Sequence, residues 1–373
     1  MSLPKTYKSL VSTVTEGGQL RMEMVEKPMP VPTADQVLIK VEACPINPSD
    51  HGVMFGYSDM SSAKNEGDAL VAPVPPMGMR MMKARIGQAL PLGNEGAGTV
   101  VAAGESDAAQ ALMGRTVAAM GGGMYAEYRA VPIMSVLPVN EGNTARQAAS
   151  SFVNPLTALC FPETMKNEGH TAIVHTAAAS NLGQMLVKIC KADNIPLVNI
   201  VRKQEQVDIL KAIGAKYIIN SSDADFMPKL IDAIHETGAT LAFDATGGGK
   251  LASDILTAME GAAARTPGAY SIYGSVHHKQ VYLYGSLDPS PTTLTRGYGM
   301  AWGVGGWLLP NFLAKAGMET AVRLRQRVAS ELTTTFASNY TDEISLLDAT
   351  KADIVARYNA KKTGEKFLVN PTL

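Results

Sequence analysis

Between Thr171 and Lys203 the apolar positions change period twice. Residues 172–175 form a continuous apolar run of strand length. Leu182, Met185, Leu186, Ile189 and Cys190 then recur at helical spacing, and 197–201 is a second apolar run. Strand, small-residue turn, helix and strand make the unit that places a phosphate on a helix N-terminus. Short runs of the same kind at 217–220, 241–245, 269–273 and 281–284 alternate with helical spacing over 182–193, 204–213, 226–236 and 250–259. Gly214 is a natural stop for the second of these helices. Six short strands with intervening helices predict an α/β architecture with a doubly wound parallel sheet.

The chain before this region has another character. Residues 36–42 (QVLIKVE), 92–104, 115–120 and 127–137 read as strands punctuated by Gly and Pro, with few helical patterns. The stretch 57–91 is irregular, and its Met77, Met79, Met81 and Met82 suit either a pliable apolar pocket or simple packing of a loop. Residues 145–161, rich in alanine, read as a helix. The tail predicts a long amphipathic helix from Glu319, another near 346–359 and a last strand at 366–369.

Composition narrows the classes. A chain of 373 residues predicts about two domains, and 46% hydrophobic with 18% charged residues is ample for packed cores. With 33 basic and 34 acidic residues the net charge is −1, and no dense Lys/Arg run points to a nucleic-acid partner. Cys44, Cys160 and Cys190 are widely spaced, as in a reducing compartment. The first residues carry no secretory pattern, and the longest apolar stretch, 301–314, is too short for a bilayer and holds Pro310. A cytoplasmic protein is the expectation, with no membrane partner.

Several motifs follow one another at consistent spacing: ACPINPSD (43–50), GNEGAGTVVAAG (93–104), NPLTAL (154–159), AAASNLG (177–183), GAKYIINSSD (214–223), LAFDATGG (241–248), GAYSIYGS (268–275) and TGEKFLVNP (363–371). Together they resemble the medium-chain dehydrogenase/reductase superfamily, in its zinc-free branch of quinone oxidoreductases and 2-enoyl thioester reductases. The resemblance implies a GroES-like, β-rich catalytic domain made of 1–147 and 313–373. A Rossmann NADPH-binding domain over 148–312 would complete the chain. At the places where zinc-dependent relatives hold the metal stand Asn47, Asn94 and Asn154. Neutral amides bind zinc poorly, so no metal is expected. Without a Lewis acid to polarise an alcohol or carbonyl oxygen, an electron-poor acceptor is favoured, a quinone or an α,β-unsaturated carbonyl.

The expected glycine fingerprint is degraded to Ala177-x-x-Ser180-x-x-Gly183. Ala178, Ser180, Asn181, Leu182 and Gly183 are the candidates for close approach to a pyrophosphate. The strand that follows ends in Arg202 and Lys203 rather than an acidic residue, which points to the 2′-phosphate of NADPH. The resemblance adds Thr157, Ala245, Thr246, Tyr273, Gly274 and Ser275 on the nicotinamide side, and Asn220 and Lys361 near the adenosine.

On the acceptor side the candidates are Asn47 and Tyr57. Thioester reductases carry a proton-donating tyrosine shortly after NPSD, and here Tyr57 falls one residue short of that place. A phenol can act as general acid without large tuning. Three functions are open at this point: an NADPH-dependent quinone reductase, a 2-enoyl thioester or enone reductase using Tyr57, and a non-catalytic NADPH-binding protein. The 281–284 run, taken as the outer strand of the sheet, would leave an apolar edge that a homodimer could cover.

Overall fold

The computed structural model describes residues 3–265 and 271–373. The chain divides into two compact units, one of 1–153 with 325–373, the other of 154–324.

The first unit is built on two β-sheets. Its larger sheet runs Val136–Pro138, Thr116–Met120, Glu95–Ala103, Gln36–Pro45, Phe367–Val369 and Asp342–Ile344, with Tyr128–Pro132 also paired to Gln36–Pro45. The tail returns here because Phe367, Leu368 and Val369 are wholly apolar and buried, and Leu368 and Val369 pair antiparallel with Pro45 and Cys44. The smaller sheet is ordered Lys64–Glu66, Ala69–Pro73, Gln19–Pro28, Thr6–Val14, Leu90–Pro91. The stretch 57–91 is therefore not an irregular excursion. Leu70, Val71 and Ala72 give it a buried strand on Gln19–Pro28, and Met82 packs into the core while Met77 and Met81 stay exposed.

The second unit is the doubly wound sheet. Six parallel strands run in the order Tyr217–Asn220, Leu197–Val201, Ile173–His175, Leu241–Asp244, Lys279–Leu283 and Trp302–Gly306. Helices Asn181–Ala192, Gln204–Ala212, Phe226–Thr237 and Leu251–Ala263 alternate with them. Their apolar stripes face the sheet, as Leu182, Met185, Leu186, Ile189 and Cys190 do in the first. The 145–161 pattern is split into Ala145–Ala148 and Val153–Asn167, with Pro155 in the first turn of the second helix. The long tail helix, Leu309–Ser330, starts earlier than the periodicity predicts and is interrupted at Gly317, whose φ is 83°.

Two sequence expectations about the sheet are corrected. Of the 269–273 run, 269 and 270 lie outside the described residues, and Ile272–Tyr273 is a turn. The strand next to Leu241–Asp244 is Lys279–Leu283, seated by Lys279, whose ammonium meets Glu260 at 2.7 Å and Ser275 Oγ at 2.7 Å. The 281–284 run is accordingly internal, and the sheet's outer strand is Trp302–Gly306.

Candidate functional site

In the second unit the site begins where Ile173–His175 ends. Thr176 Oγ1 donates to Asp244 Oδ1 at 2.7 Å and accepts from Ala245 N at 2.8 Å. Asp244 also accepts from Thr246 N at Oδ1 and from Gly247 N at Oδ2, so Oδ1 ties the carboxyl ends of two adjacent strands together while Oδ2 holds the turn after its own strand. This is a structural task and leaves Asp244 no part as an acid. It places Ala245 and Thr246 at the strand-end crevice, where open α/β sheets bind ligands.

The turn itself is tight. Ala177 takes φ 49°, a conformation that glycine adopts more readily, and Ala178 N donates to Ile200 O. Ser180 caps the helix Asn181–Ala192 by accepting from Gly183 N at 3.1 Å. A side chain at Gly183 would lie 2.2 Å from Ala178 O, so the helix meets the turn backbone to backbone. The amides of the first helical turn define the positive end of this helix.

Of the two basic residues after the second strand, Lys203 pairs with Glu205 at 3.3 Å. Arg202 is exposed, and no ion pair to its guanidinium occurs among the described residues. Its main chain is fixed by Gln206 Oε1 and by Ser222 Oγ, and Asn220 Oδ1 accepts from Ser222 N in the adjacent turn. Thr157 is buried in Val153–Asn167.

Tyr273, Gly274 and Ser275 are not at a strand end. Ser275 N and Oγ both donate to Glu260, and Tyr273 is 65% exposed. The equivalent strand-end place is taken by Tyr284, Gly285 and Ser286: Tyr284 N donates to Asp244 O, and a side chain on Gly285 would lie 2.6 Å from Ala245 O. Tyr284 hydroxyl meets His175 Nε2 at 2.8 Å.

In the first unit Asn47 opens a cluster of buried polar groups. Its backbone N donates to Asp50 Oδ2 at 2.7 Å, Asn94 N donates to Asp50 Oδ1 at 2.8 Å, and Asn47 Nδ2 donates to Glu95 Oε1 at 2.8 Å. Glu95 Oε2 accepts from Phe152 N and Val153 N. Burial pushes the Asp50 carboxyl up to about 7 against its two backbone donors, and raises Glu95 although Lys366 and its hydrogen bonds oppose this. Burial brings the Lys366 ammonium down to about 8 despite the pull of Glu95 and Asp50. The Cys44 thiol and Tyr125 phenol, both fully buried, are driven well upward by the same cause.

Sequence reasoning named Asn47 but gave Asp50, Glu95 and Lys366 no role. The signal available was a lysine opening an apolar strand, KFLV.

Tyr57 lies in the turn after the helix His51–Met54. It is 56% exposed, and its hydroxyl makes no hydrogen bond among the described residues. Lys361, with φ 49°, belongs to this same unit and acts by charge on His51.

Residues 33–141 match the family described as Alcohol dehydrogenase GroES-like domain, and residues 182–296 the family described as Zinc-binding dehydrogenase. The chain is similar to rat synaptic vesicle membrane protein VAT-1 homolog, at 26% identity over 62% of this chain and 52% of that protein. Mouse prostaglandin reductase-3 is 27% identical over 65% of this chain and 60% of that one. The chain thus spans little more than half the length of these curated relatives. A crystal structure of a candidate NADPH:quinone reductase from Mesorhizobium loti is 25% identical with a TM-score of 0.75, each chain covered at 100%.

The second family description implies zinc, and the residues do not fit it. The corresponding side chains are the amides of Asn47, Asn94 and Asn154, and the Asn47 amide nitrogen is committed to Glu95 as a donor. Among the described residues no three His, Cys, Asp or Glu side chains are grouped as ligands, and no helix is long and apolar enough to cross a membrane.

Proposed function

This chain belongs to the medium-chain dehydrogenase/reductase superfamily, in its zinc-independent, quinone oxidoreductase-like branch, and from that premise we propose that it passes a hydride from NADPH to a small quinone-like acceptor. The observation that carries the cofactor is Arg202. Its guanidinium has no ion-pair partner among the described residues and follows the strand after the phosphate turn, the place of a 2′-phosphate. The turn fits a dinucleotide because Ala177, Ala178, Ala179 and Ser180 are all small and the helix at Gly183 meets the turn backbone to backbone. Ser180, Asn181, Leu182 and Gly183 would hold the pyrophosphate, Ala245 and Thr246 the nicotinamide side.

Bound NADPH would supply the hydride, two electrons with one proton. The acceptor then needs one further proton to become a hydroquinone, which water can supply. Asn47 would orient the acceptor oxygen. Asn220, Lys361 and Thr157 stand as further cofactor contacts by family resemblance.

The exposed, unpaired hydroxyl of Tyr57 favours a second reading, an enone or 2-enoyl thioester reductase in which Tyr57 protonates the carbon opposite the hydride. Initial rates of NADPH oxidation with a quinone panel and with crotonyl thioester separate the two. Quinone turnover is expected, unchanged in Tyr57→Phe, with NADPH preferred over NADH by at least about tenfold through the guanidinium. Turnover of the thioester alone, lost in Tyr57→Phe, would install the second reading. NADPH binding without any turnover would leave a binding protein.

A homodimer remains part of the proposal, now through Trp302–Gly306, the edge strand on that side of the sheet among the described residues. Sedimentation at the mass of one chain would exclude it.

A further inference from the structure

The tail helix Leu309–Ser330 begins before its periodic pattern does, and Gly317, at φ 83°, cuts the first turns off from the rest. Those turns wall a cavity of about 730 Å³, inside the range of small-molecule sites, about 300–1,000 Å³. Its other walls are the ends of the strands Lys279–Leu283 and Trp302–Gly306 and the last turn of the helix Val153–Asn167. Every residue that lines it belongs to the second unit.

Four rings face this space: Tyr282, Tyr284, Trp307 and Phe312. Their polar atoms are already engaged. Trp307 Nε1 donates to Thr164 Oγ1 at 3.1 Å, the Tyr282 hydroxyl donates to Glu168 Oε1 at 2.8 Å, and the Tyr284 hydroxyl meets His175 Nε2 at 2.8 Å. The Trp307 ring is also fixed against Phe161 and Phe312, with centroids 5.0 and 5.8 Å away. What these walls present is chiefly ring surface, held in place, and ring surface favours a flat aromatic partner, stacked or edge-on.

Two charged side chains line the cavity, Glu168 and Lys315. The Glu168 carboxylate accepts from Tyr282 and has His170 Nε2 at 4.0 Å. Lys315 is exposed, and no ion pair to its ammonium occurs among the described residues. The charge left unanswered is positive, and an acid group on the ligand would answer it. The cavity also adjoins the place given to the nicotinamide, since Gly285 lines it and a side chain there would lie 2.6 Å from Ala245 O.

We propose that this cavity binds a planar, anionic quinone, its rings against Trp307 and Phe312 and its acid group on the Lys315 ammonium. Lys315 is then a specificity residue, favouring sulfonated or carboxylated quinones over neutral ones of the same ring system. That the ligand is the hydride acceptor rests on the reductase reading; the site itself does not.

The experiment is calorimetric titration of the full-length protein with anthraquinone-2-sulfonate and with its neutral 2-hydroxymethyl counterpart, in wild type, Lys315→Gln, Lys315→Arg and Phe312→Ala. Wild type is expected to bind the sulfonate more tightly. Lys315→Gln should weaken the sulfonate about fivefold, the most that an exposed ion pair gives, and leave the neutral quinone unmoved. Lys315→Arg keeps the preference, and Phe312→Ala weakens both ligands about tenfold through the lost ring contact. With NADPH, the KM for the sulfonate rises in Lys315→Gln while kcat is unchanged. No binding by wild type overturns the proposal, as does equal sulfonate affinity in wild type and Lys315→Gln. Quinone turnover whose KM ignores Lys315→Gln removes this site and keeps the reductase reading. The expected binding pattern without any NADPH oxidation upholds the site and removes the reductase reading instead.

Discussion

Gly183→Ala is expected to lower NADPH affinity at least about a hundredfold, equivalent to about 2.7 kcal/mol. The added methyl would stand 2.2 Å from Ala178 O, 2.6 Å from its carbonyl carbon and 2.8 Å from its Cα. All three are backbone atoms of the phosphate turn, so no side-chain rotation relieves the clash. The helix Asn181–Ala192 must lift from the turn, and overpacking of this kind costs about 1–3 kcal/mol in stability. The lift also stretches the cap bond from Gly183 N to Ser180 Oγ, now 3.1 Å, whose loss adds about 1 kcal/mol. Affinity falls further than stability because the amides at the helix end are aimed at the ligand by that same contact. Calorimetric titration with NADPH beside urea unfolding checks both. Ser180→Ala is the milder control, since it removes the cap without moving the helix. Wild-type affinity in Gly183→Ala would show that the pyrophosphate is held elsewhere.

The turn could be read from the chain because period, turn residues and helix start all lie within thirty or so residues. Other features depend on pairings that no local window contains. The tripeptide Tyr-Gly-Ser occurs twice, at 273–275 and 284–286, each after an apolar run. Nothing local distinguishes the two. The choice is made by Lys279, which is buried against Glu260 and Ser275, and by the register that sets Leu241 opposite Gln280. Residues 57–91 looked irregular because their buried strand is five residues long and their methionines follow no period, yet Leu70 pairs with Met22 to extend a sheet. The polar cluster is the extreme case. Asn47 and Glu95 lie far apart in sequence and hydrogen-bond at 2.8 Å, and Lys366 is buried in the same unit because Phe367–Val369 returns to pair with Gln36–Pro45. The motifs that contain Asp50, Glu95 and Lys366 were all visible, and their burial in one cluster was not.

The second unit is expected to lose stability on mild acidification while the first does not. Burial lowers both His51 and His175 to about 3, and each has an Nδ1 without a hydrogen-bond partner. A depressed histidine means that below about 6.5 the unfolded chain binds a proton the folded chain refuses, so stability falls as pH falls from about 6.5 toward 3. Asp50, raised to about 7, works the other way. From about 4 to 7 the folded state keeps a proton the unfolded state has released, and stability falls as pH rises. In the first unit His51 and Asp50 have opposite slopes over about pH 4–6.5 and largely cancel. In the second unit the carboxyl raised by burial is that of the part-exposed Asp254, a weaker counterweight than the fully buried Asp50, and His170, also lowered by burial, adds to His175. The expected loss from His175 approaches about 1.4 kcal/mol per pH unit and comes to about 2.3 kcal/mol between pH 6.5 and 4.5. Both tryptophans of the chain, Trp302 and Trp307, belong to this unit, so urea unfolding followed by tryptophan fluorescence reads it selectively. His175→Gln retains a hydrogen-bonding group for the Tyr284 hydroxyl and removes the titration, and it should flatten the pH dependence at some cost in stability at neutral pH. Equal slopes in the variant and the wild type would mean that His175 is not the group whose exclusion of a proton sets the acid limit of the sheet.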